Sequence, residues 1–379
     1  MKKIALVIPS LGIGGAEKVC VELGEMLAKS YRVYIVTFGD KLEFPLDKSV
    51  THIPLGVGEG VGSRVLDTVT LLGKLRRKLQ EISPHGTISF MERANIFCRI
   101  ALVGSGLSFI PTVHATIQSF SNRGQLARLF IGTFYRFGFR RDAKFITVSP
   151  QIRDDLKREY GLTNVDVVAN GLDTEKYQFV PRKSGANLRL LVVSRLHPEK
   201  QTAIAIMTTQ LLRKKGIPTT LTIIGDGAER TALENLTHDL DLGAQVTFVG
   251  AVECPFHRRL EADCLLVTSR SESFGVSMIE AILCGIPVLA LDCPTGPREI
   301  STLLDGQGIR LAPVDSQDHS VLATTLSTAI ASDFYGSDCI ANETVAAIKV
   351  IRDVFSIHKV ANGYLSAINE VHNPLSSNC

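Results

Sequence analysis

A pair of carboxylates and a pair of cations in the second half of the chain have the types and spacing to handle a diphosphate-linked sugar. Glu272-Ser-Phe-Gly-Val-Ser-Met-Ile-Glu280 sets two carboxylates either side of seven residues, after the buried run Cys264 to Thr268. Ser273, Phe274 and Gly275 read as a turn in which Gly275 lets backbone approach a ligand closely. The amides of Val276 and Ser277 then open a helix and point towards an anion, which suits phosphate. Glu280 lies too far into that helix for phosphate, but its carboxylate can accept hydrogen bonds from both hydroxyls of a ribose. Glu272, at the mouth, suits the hydroxyls of a sugar. Arg195-Leu-His-Pro-Glu-Lys200 supplies the complementary charge. A leaving diphosphate gains negative charge as its bond to carbon breaks, and preorganised Arg195 and Lys200 stabilise that charge more than they stabilise bound substrate, with no metal required.

These residues need strand ends to hold them. The chain opens with a strand (Ile4 to Ile8), a turn containing Gly12, Gly14 and Gly15, a helix from Ala16 to Lys29 and a strand from Arg32 to Phe38. The pattern restarts with a strand at Leu188 to Ser194, a turn at Arg195 to Lys200, a helix to Lys215 and a strand at Thr220 to Ile224. Further strands are expected at Val246 to Val249, Cys264 to Thr268 and Pro287 to Ala290. The expected class is therefore α/β, two Rossmann-like domains facing a central cleft, with ligands beyond the carboxyl ends of the strands. The linker falls in Val180 to Asn187, after the strand and turn Val165 to Asp173. This gives a first domain over 1–180 and a second over 181–357. The stretch Asn342 to Val371 reads as helical, and its last helix, around 358–373, is expected to pack back on the first domain.

Composition narrows the class. With 379 residues, 45% hydrophobic and 21% charged, the chain is an ordinary globular protein, not a disordered or stapled one. Its eight cysteines form no C-x-x-C pair, which favours reduced thiols over zinc or disulfides. Residues 1 to 16 imitate a secretory signal, yet Pro9 breaks the short apolar core and a glycine turn follows, as expected of a first buried strand. No apolar run is long enough to span a bilayer. Residues 1–180 carry a net charge of +7 and the remainder −4, so a basic first half faces anionic partners; no nucleic-acid motif accompanies it. A cytoplasmic protein, at the inner face of the plasma membrane, is expected.

Together, Arg195-x4-Lys200 and Glu272-x7-Glu280 resemble family 4 of the glycosyltransferases, nucleotide-sugar enzymes of the GT-B fold. Gly14-Gly15-Ala16-Glu17 is similar to that family's N-terminal glycine turn, Asn170-Gly171-Leu172-Asp173 to its interdomain segment and Gly225-Asp226-Gly227 to its post-strand turn. Asp292 to Glu299 is similar to its loop before the last helices. The resemblance implies a retaining transfer in which Arg195 and Lys200 bind the donor diphosphate, Glu280 the ribose and Glu272 the transferred sugar. It also implies donor contacts from Gly14, Gly15, Gly225, Ser273, Phe274, Gly275 and Val276, and makes 1–180 the acceptor-side and 181–357 the donor-binding domain. His114, in Pro111-Thr-Val-His-Ala-Thr116, resembles the family's first-domain histidine beside the donor sugar; the Asn that often follows it is Ala115 here. The implied donor is a UDP-sugar, taken as substrate with no cofactor. The implied cargo is a hexose or N-acetylhexosamine, and the acceptor a cell-surface glycan or a polyprenyl-linked oligosaccharide. A nucleotide-sugar epimerase, an NAD-dependent oxidoreductase and a non-catalytic binding module are the alternatives.

Three other features carry weaker readings. Asp239-Leu-Asp241 imitates a metal-holding Asp-x-Asp but sits in a helical stretch, as solvated carboxylates do. Gly12-Ile-Gly14-Gly15-Ala-Glu17 imitates a dinucleotide fingerprint, with Glu17 in the third glycine's place. In residues 123 to 141, Leu126, Phe130, Phe134 and Phe137 share a helical face while Arg128, Arg136 and Arg140 lie elsewhere. That basic amphipathic helix either packs on the core with solvated arginines or engages anionic lipid or a polyprenyl diphosphate. Arg64 to Lys78 repeats the theme with Lys74, Arg76, Arg77 and Lys78.

Overall fold

Near-continuous runs of Val, Ile and Leu make strands that are buried on both faces, the signature of parallel sheets covered by helices. The computed structural model describes residues 1–12, 14–56, 65–114, 125–180, 185–257, 260–293, 295–336 and 339–372. Seven strands form a first parallel sheet: β1 (Lys3–Ile8), β2 (Arg32–Thr37), β3 (Val50–Pro54), β4 (Gly86–Phe90), β5 (Ile110–Val113), β6 (Phe145–Thr147) and β7 (Val165–Val167), in the order β3-β2-β1-β4-β5-β6-β7. Six form a second: β8 (Leu188–Val193), β9 (Thr219–Ile224), β10 (Val246–Gly250), β11 (Cys264–Val267), β12 (Val288–Leu291) and β13 (Ile309–Ala312), in the order β10-β9-β8-β11-β12-β13. The strand order reverses between β1 and β4 and again between β8 and β11. Ligands of doubly wound sheets bind outside the carboxyl ends of strands at such reversals.

The chain divides into two compact units, one of Met1–Leu172 together with the chain from Phe355, the other Asp173–Val354. In the first, α1 (Gly15–Ala28) and α12 (Ile357–His372) cover one face of the sheet, with Tyr364, Ala367 and Ile368 of α12 buried in a core shared with β1 and β2. On the other face, α2 (Val65–Ile82) and α3 (Met91–Ala101) bury Leu71, Leu75, Leu79, Ala94 and Cys98. The first unit also holds α5 (Pro150–Tyr160) and the second α9 (Pro297–Leu303); in the second unit, α6 (Thr202–Lys214), α7 (Arg230–Asp239) and α10 (His319–Asp333) pack on a core built from β8, β9, β11 and β12.

The helical stretch from Asn342 to Val371 is two helices, α11 (Cys339–Val354) and α12, not one. The break has a backbone cause. Leu172 N–H donates to Phe355 O at 2.8 Å and Ile357 N–H donates to Leu172 O at 3.0 Å, so this peptide pair exchanges helix bonds for a strand-like clasp.

The amphipathic segment also departs from a single helical face. α4 (Gln125–Thr133) runs into a π-helical turn at Phe134–Gly138, whose wider winding shifts the register. Ile131, Tyr135 and Phe139 turn inward, whereas Phe130 and Phe137 are exposed and Phe134 is half-buried. Arg64 and residues 123 and 124 lie outside the described residues, as do the side chains of Leu126 and Arg128.

Candidate active site

The end of β8 is held by a glycine turn from β9. Leu196 N–H donates to Asp226 O at 2.9 Å, which brings Gly225-Asp226-Gly227 against residues 194–196. Gly225 and Gly227 take φ of +146° and +156°, and a Cβ on either would overlap the carbonyl oxygens of Ser194 and Leu196. Only glycine allows that approach. Arg195 then emerges exposed, and the described residues give its guanidinium no hydrogen bond or ion pair.

A 3₁₀ turn at Pro198–Lys200 carries the second cation. The loop after β11 is fastened to that turn by backbone and hydroxyl bonds, Thr268 Oγ1 donating to Lys200 O at 2.7 Å and Arg270 N–H to Glu199 O at 2.8 Å. Lys200 Nζ in turn donates to Glu272 Oε2 at 2.6 Å, both side chains being less than a fifth exposed, at 17% and 18%. Ser269 Oγ donates to the same oxygen at 3.2 Å, and Thr295 Oγ1 donates to the Glu272 carbonyl. Gly296, at φ +45°, lets its loop lie on Glu272, since a Cβ there would be 2.9 Å from Glu272 O. Beside this pair the Cys293 thiol is pushed up to about 12, first by burial and then by the Glu272 charge, so it is not a nucleophile.

Ser273 and Phe274 lead to Gly275, whose left-handed conformation at φ +83° starts α8 (Val276–Leu283). The first-turn amides of Val276 and Ser277 open the helix. Glu280 is buried inside α8 at 6% exposure, and Tyr177 Oη donates to its Oε1 at 2.8 Å. Tyr177 is itself buried and meets the His257 ring edge-on, with centroids 5.1 Å apart.

In the first unit, Gly14 is extended, caps α1 without a side chain, and lies so close to the Glu17 carboxylate that a Cβ would overlap it; Gly15 is the first helical residue. His114 directly follows β5, is buried, and stacks on Phe90 with centroids 5.3 Å apart. Thr112 Oγ1 spends its one proton on Ser89 O at 2.8 Å, so in the 2.8 Å contact between Thr112 Oγ1 and His114 Nε2 the imidazole is the donor. Nδ1 then carries the lone pair. It has no hydrogen-bond partner among the described residues, and neither has Asn170 Oδ1. Burial pushes the His114 imidazole down to about 4, against a smaller opposing effect of the neighbouring Asn170 side chain, so the ring is neutral near pH 7.

The second unit thus gathers Arg195, Lys200, Gly225, Glu272, Ser273, Phe274, Gly275 and Val276 at the carboxyl ends of β8, β9 and β11, with Glu280 deeper on α8. Gly14, Gly15 and His114 stand at the carboxyl ends of β1 and β5 in the first. Asp239 ends α7 and Asp241 takes φ +55° just beyond it. Among the described residues no group of three or more His, Cys, Asp or Glu is placed to hold a metal ion. Tyr177, Ser269 and Thr295 carried no mark in the sequence, although Thr295 falls within the quoted loop Asp292 to Glu299.

The family model described as Glycosyltransferase Family 4 matches residues 13–176, and the one described as Glycosyl transferases group 1 matches residues 173–326. The chain belongs to the family 4 glycosyltransferases. This glycosyltransferase is 24% identical over 306 residues to an uncharacterized glycosyltransferase of Haemophilus influenzae, covering 79% of this chain and 83% of that protein. It is 22% identical over 313 residues, with the same coverage of 79% and 83%, to the N-acetylgalactosamine-N,N'-diacetylbacillosaminyl-diphospho-undecaprenol 4-alpha-N-acetylgalactosaminyltransferase of Campylobacter jejuni. Its fold is similar to that of Anabaena HepE, solved in complex with UDP and glucose. The TM-score is 0.74 at 18% identity, covering 98% of this chain and 100% of that one. The two doubly wound sheets are those of the GT-B fold. Among the described residues of the glycosyltransferase, no helix is long and apolar enough to cross a membrane.

Proposed function

We propose that this glycosyltransferase moves a hexose or N-acetylhexosamine from a UDP-sugar to a cell-surface glycan or a polyprenyl-linked oligosaccharide, with retention of anomeric configuration and without a metal. The observation that carries the reading is the 2.6 Å pair of Lys200 and Glu272, with Arg195 exposed after β8, at the strand reversal where ligands of such sheets bind. Within the pair each charge neutralises the other. On donor binding, Lys200 turns with Arg195 to the diphosphate and Glu272 accepts hydrogen bonds from sugar hydroxyls. The amides of Val276 and Ser277 and the glycine turns at Gly14, Gly15 and Gly225 border the phosphates, Ser273, Phe274 and Gly275 flank them, and Glu280 takes the ribose.

The transfer then breaks the bond from the anomeric carbon to the phosphate oxygen and forms one to the acceptor oxygen on the same face. The acceptor's proton passes to the departing phosphate oxygen, and UDP leaves. Once turned to the diphosphate, Arg195 and Lys200 hold the charge that develops as the bond breaks. For His114 we propose a hydrogen bond from a sugar hydroxyl to the neutral Nδ1, not nucleophilic attack.

The UDP bound to Anabaena HepE supports the choice of nucleotide, and the diphospho-undecaprenol in the Campylobacter enzyme's name supports a lipid-linked acceptor. The test is release of UDP from a panel of UDP-sugars with and without undecaprenyl-diphosphate-linked oligosaccharides. Acceptor-dependent UDP release supports the reading. Conversion of the donor to its epimer without acceptor, or reduction of NAD, contradicts it.

A further inference from the structure

The sequence from Arg93 to Arg141 contains seven arginines and no aspartate, glutamate or lysine. Three of them are exposed: Arg136 within the π-helical turn, and Arg140 and Arg141 just after it. The same turn carries apolar surface on both sides. Its inner side is spent on the core, with Tyr135 fully buried and its Oη accepting from Asn95 Nδ2 at 2.9 Å, and with the rings of Phe139 and Phe145 centred 5.0 Å apart. On the outer side, Leu129 and Phe130 of α4 and Phe137 of the turn face solvent, at 67%, 60% and 76% exposure. Nothing in the core needs those three side chains.

The neighbouring end of α3 extends the patch. Ile100 and Val103 are 42% and 57% exposed. Two arginines bind that end into the surface by their donors: Arg99 Nε to Gly138 O at 2.7 Å, and Arg76 Nη1 to Ala101 O at 2.9 Å and Val103 O at 2.7 Å. Arg136 lies over the Phe137 ring at 5.9 Å. Arg140 pairs with Asp142 at 3.1 Å, but with side chains 81% and 66% exposed that pair is a weak competitor for other anions.

We infer that this face of the first unit, built on Phe130, Phe137, Ile100 and Val103 with Arg136, Arg140 and Arg141, docks on an anionic phospholipid membrane. Exposed aromatic and aliphatic side chains amid arginines match the acyl boundary and the phosphates of a lipid surface, where both can be satisfied together. A soluble acidic glycan would satisfy the arginines and leave the phenylalanines in water. Guanidinium groups also fit phosphate bidentately. The inference stands apart from the donor site, because none of its residues belongs to it.

The test is co-sedimentation of the full chain with vesicles of phosphatidylcholine alone or mixed with phosphatidylglycerol, at low and physiological salt. Binding to the anionic vesicles and not to the neutral ones is expected. The double variant Phe130→Ser, Phe137→Ser should weaken partitioning at least tenfold with its unfolding temperature and its turnover of soluble substrate unchanged. Each of Arg136→Ala and Arg140→Ala should cost roughly fivefold and flatten the salt dependence. Failure to bind anionic vesicles at low salt overturns the inference, as does binding that the phenylalanine variant leaves intact. Equal competition by a soluble polyanion such as heparin would assign the face to an acidic glycan and overturn it too.

Discussion

Lys200 Nζ and Glu272 Oε2 stand 2.6 Å apart, although 72 positions separate the two residues in the chain. The contact exists because the loops after β8 and β11 are adjacent at the strand reversal and are stitched together through Thr268 and Arg270. An ion pair between two groups proposed to grip different parts of one substrate means that the donor must part them. Lys200→Ala should therefore lower kcat/KM for the UDP-sugar by about 10²- to 10³-fold, the usual loss on removing one preorganised charge from a transition state. Steady-state kinetics check this, with Glu272→Gln expected to fall in the same direction.

Tyr177→Phe removes the hydroxyl that donates to Glu280 Oε1. The carboxylate loses its orientation while its charge stays, so the effect belongs in binding. An affinity loss of about fivefold, near the ~1 kcal/mol of one such hydrogen bond, is expected in KM with little change in kcat. Titration with UDP and with its 2′-deoxy counterpart reads the same effect: the variant should discriminate less between them.

His114 predicts a pH signature in stability. Its folded-state value is lowered to about 4 from an ordinary 6.5, so the unfolded chain binds the proton more tightly. The stabilisation tied to the neutral ring is complete above the ordinary value and is lost as pH falls through the window from 6.5 to about 4. Its full size is on the order of 3 kcal/mol. Urea unfolding of the first unit's transition at pH 7 and pH 4.5 should show wild type losing more stability than His114→Asn. The same neutrality predicts that His114 contributes no titration to kcat/KM between pH 6 and pH 8.

Gly225→Ala sets a side chain against Ser194 O at a backbone conformation that L residues rarely adopt. The Arg195 loop must shift. A drop in unfolding temperature together with a loss of donor affinity is expected; an unchanged affinity would separate the turn from the Arg195 position.

Much of this was legible in the sequence where the signal is local. β1, β2, β8 and β9 are rich in β-branched residues and leucine and are bounded by turn residues, and Gly275 and Gly225 announce positions that only glycine tolerates. Two short strands of the first sheet, β4 and β6, were not. β6 is three residues, Phe145–Thr147, and β4 contains Gly86 and two hydroxyl residues, so neither carries a pattern of its own; their partners in the sheet define them. Tyr177 was equally silent, because an isolated aromatic acquires its role only when folding brings it within 2.8 Å of a buried carboxylate. The break between α11 and α12 came from a long-range clasp with Leu172, which no window along the chain contains.

Isothermal titration of the wild-type chain and of the Arg195→Ala, Lys200→Ala double variant with UDP tests the central claim most directly. Saturable binding by the wild type and a loss of at least about tenfold in the variant, with both equally folded, is the result expected when two cations grip one diphosphate. Equal affinities would mean that the diphosphate lies elsewhere and that the charged cluster at the ends of β8 and β11 is not the donor site.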